Sequence, residues 1–565
     1  MITAENKNKP SFPFLGEGQK PGYLLTEEDC NITVYRYIKD NNDPEETALI
    51  YNGKEITYRE LFAEADLIAD RLWNEGIRPG MYILTMFEGS PHISAFLLAV
   101  SRIGVCTLSL TTQTKEEVVR TLLSISDVSM FFVMEKNYIQ FSEMRCLDEL
   151  DFVITIPKDY KEIKENNGYR RLKMSNIMKW DDFMSGPRSS APEMKDGYYP
   201  LNIMATSGST GNPKGIVHTN ITQIALMKIY ADEDCGWKRG DRMFSMFPPY
   251  VATGISLSLL TPLALGITVI QRLELSQEIF VDVLRKDKPA IIFAPKSTWL
   301  ALPDTAPEGM DLSFVHSMVT AGEPIYQTEM GILKTYLEKN GCHVIPDNGY
   351  GMSECDSLVS MSRNLQKEIF SSAGFALDHV VVSVFDLDKN RECAYNELGE
   401  ICCISPANML NYFMNRSATK SFYFVDDHNL RWARSGDVGY ITPRGEIVIC
   451  CREKEKFTDR SGAHIYPFEV ERVVNELPAI TRSKALKMMY NNEEVLSLHF
   501  TMNETPSDVA DVCRQLLDKC RESGLAVLPK LFKYRDSFPL NKGGKMDMVA
   551  MAQETEGFII QEVKG

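Results

Sequence analysis

Residues 206–215 read TSGSTGNPKG and place four hydroxyls, three glycines and a lysine within ten positions. Glycine lets successive backbone N–H groups curl toward one anion, Ser and Thr add hydroxyl donors, and Lys214 adds charge. The stretch therefore reads as a phosphate grip that a fold must hold open between apolar segments. A Walker loop needs Gly before its lysine and Ser or Thr after it, whereas Pro213 and Gly215 flank Lys214. A flexible Ser/Gly linker is the plain alternative, and linkers seldom carry Pro-Lys-Gly.

A chain of 565 residues exceeds one hydrophobic core, and its length corresponds to about three or four domain-sized units. The formal charge of −16 disfavours a general nucleic-acid binder, which requires a basic face to displace counterions. It leaves room for a local basic pocket that holds a nucleotide. Thirteen cysteines without CxxC spacing read as buried thiols of a reducing compartment rather than as a disulfide framework. The first residues lack an apolar leader core, which favours a cytoplasmic enzyme. The run 255–270 is broken by Ser256, Ser258, Thr261, Pro262 and Gly266, so it reads as buried core and not a transmembrane segment.

Thr57 and Glu60 form a capping box, followed by Leu61, Ala65, Ile68 and Leu72 at helical spacing until Gly76. Residues 81–86 then read as a strand, 93–103 as a helix and 105–110 as a strand. This βαβ rhythm predicts a largely parallel sheet covered by helices. Residues 442–445, Thr-Pro-Arg-Gly, predict a turn between two strands. Beyond about residue 452 the pattern changes to a helix at 468–477, strands at 484–490 and 494–502 around Asn491-Asn492, and a helix at 507–522, the size of a small separate domain.

Further stations follow the phosphate stretch in order: TAGEP at 320–324, GYGMSE at 349–354, SGDVGY at 435–440, Arg452, and PLNKGGK at 539–545. With TSGSTGNPKG they make the chain resemble the adenylate-forming superfamily of acyl-CoA synthetases, peptide-synthetase adenylation domains and beetle luciferases. In character it is most similar to the acyl-CoA synthetases. The resemblance runs from Thr57 to Lys545. It implies an α/β fold with a large multi-subdomain N-terminal body of helix-covered sheets, residues 1–451, plus a small mobile α+β C-terminal domain, residues 452–565.

The resemblance also assigns roles. Thr206, Ser207, Gly208, Ser209, Thr210, Gly211 and Lys214 would hold ATP phosphates. Gly322, Glu323, Pro324, Gly349, Tyr350, Gly351, Met352 and Ser353 would border the adenosine, with Tyr350 offering a flat face to adenine. Glu354 would hold Mg²⁺, a cation that takes oxygen ligands and keeps several waters. Asp437 and Arg452 would meet the ribose or a phosphate, since Asp437 can accept from adjacent hydroxyls. Lys545, behind two glycines, would carry adenylation by bridging the acid's carboxylate and the α-phosphate. Lys454 stands at the hinge position and Gly462 in the thiol channel.

The acid pocket would include Tyr250, Val251, Gly254 and Gly351. Many acyl and aryl members carry His where this chain has Val251, and amino-acid-activating members carry an Asp that residues 247–254 lack. The chain also departs from the family at Cys451, where Gly is usual, and at His464, where Arg is common. The implied activity is adenylation of a carboxylic acid by ATP and transfer of the acyl group to coenzyme A, the acid being medium-chain acyl or aryl. The alternatives are loading of a phosphopantetheinyl carrier protein, a luciferase-like oxygenase and a non-catalytic nucleotide-binding relative. No nucleic-acid partner is implied.

Overall fold

The computed structural model describes residues 9–10, 25–112, 114–141, 143–156, 176–205, 214–233, 235–306, 310–322, 325, 327–362, 369, 372–459, 461–462, 464–539 and 546–560. The chain forms two compact units. The first comprises everything to Ser383 with Cys402–Arg434 and Ile441–Val448, and the second comprises Val384–Ile401, Ser435–Tyr440 and the chain from Ile449 onward. The passages between them fall inside strands Val381–Asp386, Gly399–Ile404, Arg431–Ile441 and Ile447–Arg452.

The first unit holds two large sheets. One runs, edge to edge, through Phe375–Ala376, Ser357–Met361, Asp347–Met352, Ser317–Ala321, Ile291–Phe293, Arg242–Ser245, Thr268–Gln271, Thr47–Tyr51 and Lys54–Thr57. The six strands from Asp347–Met352 to Thr47–Tyr51 are mutually parallel. The other contains eight strands, parallel from Pro200–Ala205 across to Ile177–Lys179, with Gly215–Thr219 and Asn411–Tyr412 added antiparallel at its edge. Parallel strands need crossover helices, and those helices bury both faces.

Helix Tyr58–Asn74 shows how the sequence writes such an element. Thr57 Oγ1 accepts from the Glu60 amide at 3.2 Å while the Glu60 carboxylate accepts from the Thr57 amide at 2.9 Å. Leu61, Ala65, Ile68 and Leu72 are buried in one core with Ile93, Phe96 and Val100 of helix Pro91–Arg102. Gly76 ends the helix at φ 87°, a left-handed angle that glycine adopts without steric cost. The run 255–270 is a buried π-helix at Thr253–Leu260, one α-turn at Thr261–Ala264, and strand Thr268–Gln271. Among the described residues no helix is long and apolar enough to cross a membrane. All thirteen cysteines are free thiols.

The second unit centres on a four-stranded sheet of Ile480–Tyr490, Glu493–Met502, Leu531–Tyr534 and Ile559–Ile560. Helices Pro467–Asn475 and Val509–Glu522 supply Val470, Val474, Cys513 and Leu517 to its core beside Leu498 and Phe532. Asp508 caps the second helix by accepting from the amides of Ala510 and Asp511. Asn491 and Asn492 form the two-residue turn between the long strands, at φ 49° and 61°.

Two consecutive left-handed residues make a turn that favours Asn or Gly and opposes β-branched side chains. Asn492→Gly is expected to keep or raise stability, and Asn492→Val to lower it by about 1 kcal/mol or more. Urea titration monitored on the second unit distinguishes the two.

Candidate functional site

Strand Asp347–Met352 ends in the short 3-10 turn Ser353–Cys355, which carries Glu354 at the carboxyl edge of the parallel sheet. The Tyr412 hydroxyl donates to Glu354 Oε1 at 2.6 Å, and the Met409 amide donates to the Glu354 carbonyl at 2.7 Å. Tyr412 lies on strand Asn411–Tyr412, opposite Ile216 of the strand that begins one residue after Lys214. The Lys214 ammonium sits 4.7 Å from the centre of the Tyr412 ring, a cation–π distance. Burial, then the Glu354 charge, raises the Tyr412 hydroxyl's pKa, so it remains a donor at neutral pH. Carboxylate, phenol and ammonium thus form one cluster in the first unit. Glu354 Oε2 has no hydrogen bond among the described residues.

The Glu354 turn is clamped from beneath by side chains that no motif marks. Asp356 is fully buried in the left-handed region at φ 62°. It accepts from Ser256 Oγ and from Gln223 Nε2, each at 2.6 Å. Ser256 belongs to the π-helix Thr253–Leu260, and Gln223 to helix Asn220–Asp232, which follows strand Gly215–Thr219. His218 on that strand is also fully buried, and its Nε2 donates to the Ser353 carbonyl at 2.7 Å. Burial lowers the His218 pKa to about 4 and raises that of Asp356. Both residues bordering the Glu354–Cys355 pair are therefore tied to the segment that follows the glycine-rich stretch.

Gly322 follows strand Ser317–Ala321 at φ 88°. Tyr350, Met352 and Ser353 are half-buried at the end of the neighbouring strand. A Cβ at Gly349 would meet Leu358 Cδ1 at 2.7 Å, and one at Gly351 would meet the Ser357 carbonyl oxygen at 1.7 Å. Glycine at 351 is thus demanded by the adjacent strand's backbone. Gly254 is held in the same way, its missing Cβ pointing at the Pro248 carbonyl 1.9 Å away. Tyr250 packs beside the core of the eight-stranded sheet, and Val251 donates its amide to Pro248 O at 3.2 Å.

In the second unit the Arg452 Nε donates to Asp437 Oδ1 at 2.9 Å, so the two predicted nucleotide contacts form an ion pair with each other. Asp437 is buried while Arg452 is more than half exposed. The Lys454 carbonyl accepts from Lys487 Nζ at 2.8 Å. Gly462 has φ 88° and a Cβ there would touch nothing, so backbone angle alone calls for glycine. Thr206, Ser207, Gly208, Ser209, Thr210, Gly211, Glu323, Pro324 and Lys545 lie outside the described residues.

Tyr412, His218, Gln223, Ser256 and Asp356 were not legible as site residues, because their partners lie 58 to 135 positions away in sequence and meet them only in the fold. The one local signal is a charged residue two positions after Glu354, inside a buried strand connection.

Asp356→Ala leaves a buried hydroxyl and a buried amide unpaired and should cost about 2–4 kcal/mol. Asp356→Asn should cost less, and its standing relative to the parent should improve with pH. The folded state holds the Asp356 proton more tightly than the unfolded chain, so its stabilising contribution is complete at acid pH. That contribution fades as the pH rises above the unfolded carboxyl value of about 4. Denaturant titrations from acid to neutral pH read the difference.

A family model for the AMP-binding enzymes matches residues 38–413. The 2-succinylbenzoate–CoA ligase of Bacillus subtilis (strain 168) is 23% identical, with 89% of this chain and 94% of the relative covered. Among solved structures, ATP-bound MatB from Rhodopseudomonas palustris superposes with a TM-score of 0.74 at 18% identity, covering 93% of this chain and 98% of that one. The anthranilate CoA ligase AuaEII in complex with anthranoyl-AMP gives 0.73 at 17% identity, covering 92% and 97%. With the family model matching most of its length, and a Lys-Tyr-Glu cluster at the carboxyl edge of a parallel sheet, the chain belongs to the AMP-binding enzyme family.

Proposed function

We propose that this protein is an ATP-dependent acid:thiol ligase that converts a carboxylic acid to an acyl adenylate and pyrophosphate, then passes the acyl group to coenzyme A. The observation that carries the reading is the Lys214–Tyr412–Glu354 cluster, in which one tyrosine takes an ammonium on its ring and a carboxylate at its hydroxyl, just after the glycine-rich stretch. Family membership supports the same chemistry.

In this reading an acid oxygen attacks the α-phosphorus of ATP, the bond to the bridging oxygen breaks, and pyrophosphate leaves. Glu354, whose carboxylate keeps one oxygen clear of the Tyr412 phenol, would be the carboxylate that holds a divalent cation. That donor set suits Mg²⁺, which is ordinarily bound by one or two carboxylates together with phosphate oxygens and water. Bound there, the ion would offset charge on the triphosphate. Among the described residues no group of three His, Cys, Asp or Glu side chains forms an all-protein metal site. Lys214 and the 206–211 stretch hold the phosphates, and Tyr350 and Gly322 border the adenine. Asp437 offers its oxygens to the ribose, with Arg452 holding that carboxylate in place.

Lys545 orients the acid carboxylate against the α-phosphate and offsets the charge that builds there. The mixed anhydride is prone to hydrolysis, so water must be kept out until the thiol arrives. The C-terminal domain from residue 452 would turn about Lys454 after adenylation, withdrawing Lys545 and bringing the Gly462 segment to the thiol arm. A cytoplasmic location, an acyl or aryl acid and coenzyme A as acceptor complete the reading.

The test is acid-dependent pyrophosphate release across a panel of acids, with coenzyme A or a holo-carrier protein as acceptor. Lys545→Ala is expected to slow adenylate formation by at least about a hundredfold while sparing thioester formation from supplied acyl-AMP. Equal loss of both half-reactions removes the role assigned to that lysine.

A further inference from the structure

The six parallel strands of the nine-stranded sheet end on one edge, and two of those ends carry a cavity beyond the Glu354 cluster. It opens where Arg242–Ser245 and Thr268–Gln271 finish, three and four strands along from Asp347–Met352. At about 4.8 Å per strand this is on the order of 14–19 Å from the strand that carries Tyr350. Ligands of parallel α/β sheets bind along this edge.

The cavity is walled by Phe247 and Gly254 of the acid segment, and by Leu259 and Leu275. Two polar side chains in its lining each keep an oxygen without a hydrogen-bond partner among the described residues. Gln271 is 6% exposed and donates its Nε2 to Ser94 Oγ at 2.9 Å, leaving Oε1 without a hydrogen bond among the described residues. Ser258 is 4% exposed, and its hydroxyl has no partner either. An acceptor buried unpaired costs about 1–3 kcal/mol, and a donor arriving with a ligand recovers that cost. The one cationic side chain in the lining, Arg272, is neutralised by a buried ion pair with Asp287 and donates Nη1 to the Gln271 carbonyl. A second carboxylate would find no uncompensated charge there.

We infer that this cavity receives the far end of the acid, and that the acid class is an elongated apolar carboxylic acid ending in an uncharged hydrogen-bond donor, a hydroxyl or an N–H, which Gln271 Oε1 accepts and Ser258 supports. The inference rests on the acid-activating reading and specifies its substrate. Phe247, Leu259 and Leu275 exclude water from the body of the acid, and Gln271 selects its tip.

Pyrophosphate release is measured with three saturated acids of about twelve carbons, a length that matches the distance along the sheet edge. Their far ends carry a hydroxyl, a methyl group and a second carboxylate. The parent should favour the hydroxyl-ended acid over the methyl-ended one by about tenfold or more in kcat/KM, with the dicarboxylic acid poorest. Gln271→Leu should invert the preference between hydroxyl and methyl. Ser258→Ala, a smaller change in the same lining, should weaken it. An unchanged preference in both variants, or a preference for the dicarboxylic acid, overturns the assignment. If no acid supports pyrophosphate release, the ligase reading falls. The cavity is then judged by saturation-transfer NMR of the hydroxyl-ended acid, where binding to the parent and loss of binding in Gln271→Leu sustain the site, and equal signals refute it.

Discussion

A buried carboxyl holds the site's geometry. Asp356 receives one hydrogen bond from the π-helix Thr253–Leu260 and one from the helix after strand Gly215–Thr219, while occupying the left-handed turn that closes the Glu354 loop. A non-glycine residue in that backbone region costs about 1–2 kcal/mol, and two buried hydrogen bonds of about 0.5–1.5 kcal/mol each offset it. Three segments distant in sequence are thereby set in one register. Glu354 itself is left half-buried, with one carboxylate oxygen fixed by Tyr412 and the other without a hydrogen bond among the described residues.

The parallel sheet edge supplies fixed positions: Gly322 after one strand, Tyr350 and Glu354 after the next, and the cavity at Gln271 further along. Glycines at 254, 349 and 351 are fixed by backbone or side chains at contact distance rather than by a ligand. Gly349 and Gly351 therefore report how tightly neighbouring strands approach, and Gly254 how tightly the π-helix folds back on Pro248. The second unit has its own core and its own ion pair between Asp437 and Arg452.

Much of the fold was legible because local signals agreed with one another. The Thr57–Glu60 capping box, the apolar spacing after it and Gly76 define a helix whose ends match the structure. The paired asparagines at 491 and 492 likewise announce a two-residue turn. Asp356 and Gln271 were not legible, since a buried polar side chain acquires meaning from partners that only tertiary contact supplies. Gly351 is placed in the acid pocket by the resemblance, and its missing Cβ points at the Ser357 carbonyl. A sequence motif names the residue and not the direction in which its missing side chain would point.

The central chemical claim is that an acid oxygen becomes bonded to the α-phosphorus of ATP. The most direct measurement follows ¹⁸O from a labelled carboxylic acid during turnover with ATP and coenzyme A. One labelled oxygen should appear in the phosphate of AMP, with none in pyrophosphate. Release of unlabelled AMP, or cleavage to ADP and orthophosphate with the label retained in the acid, would contradict the account.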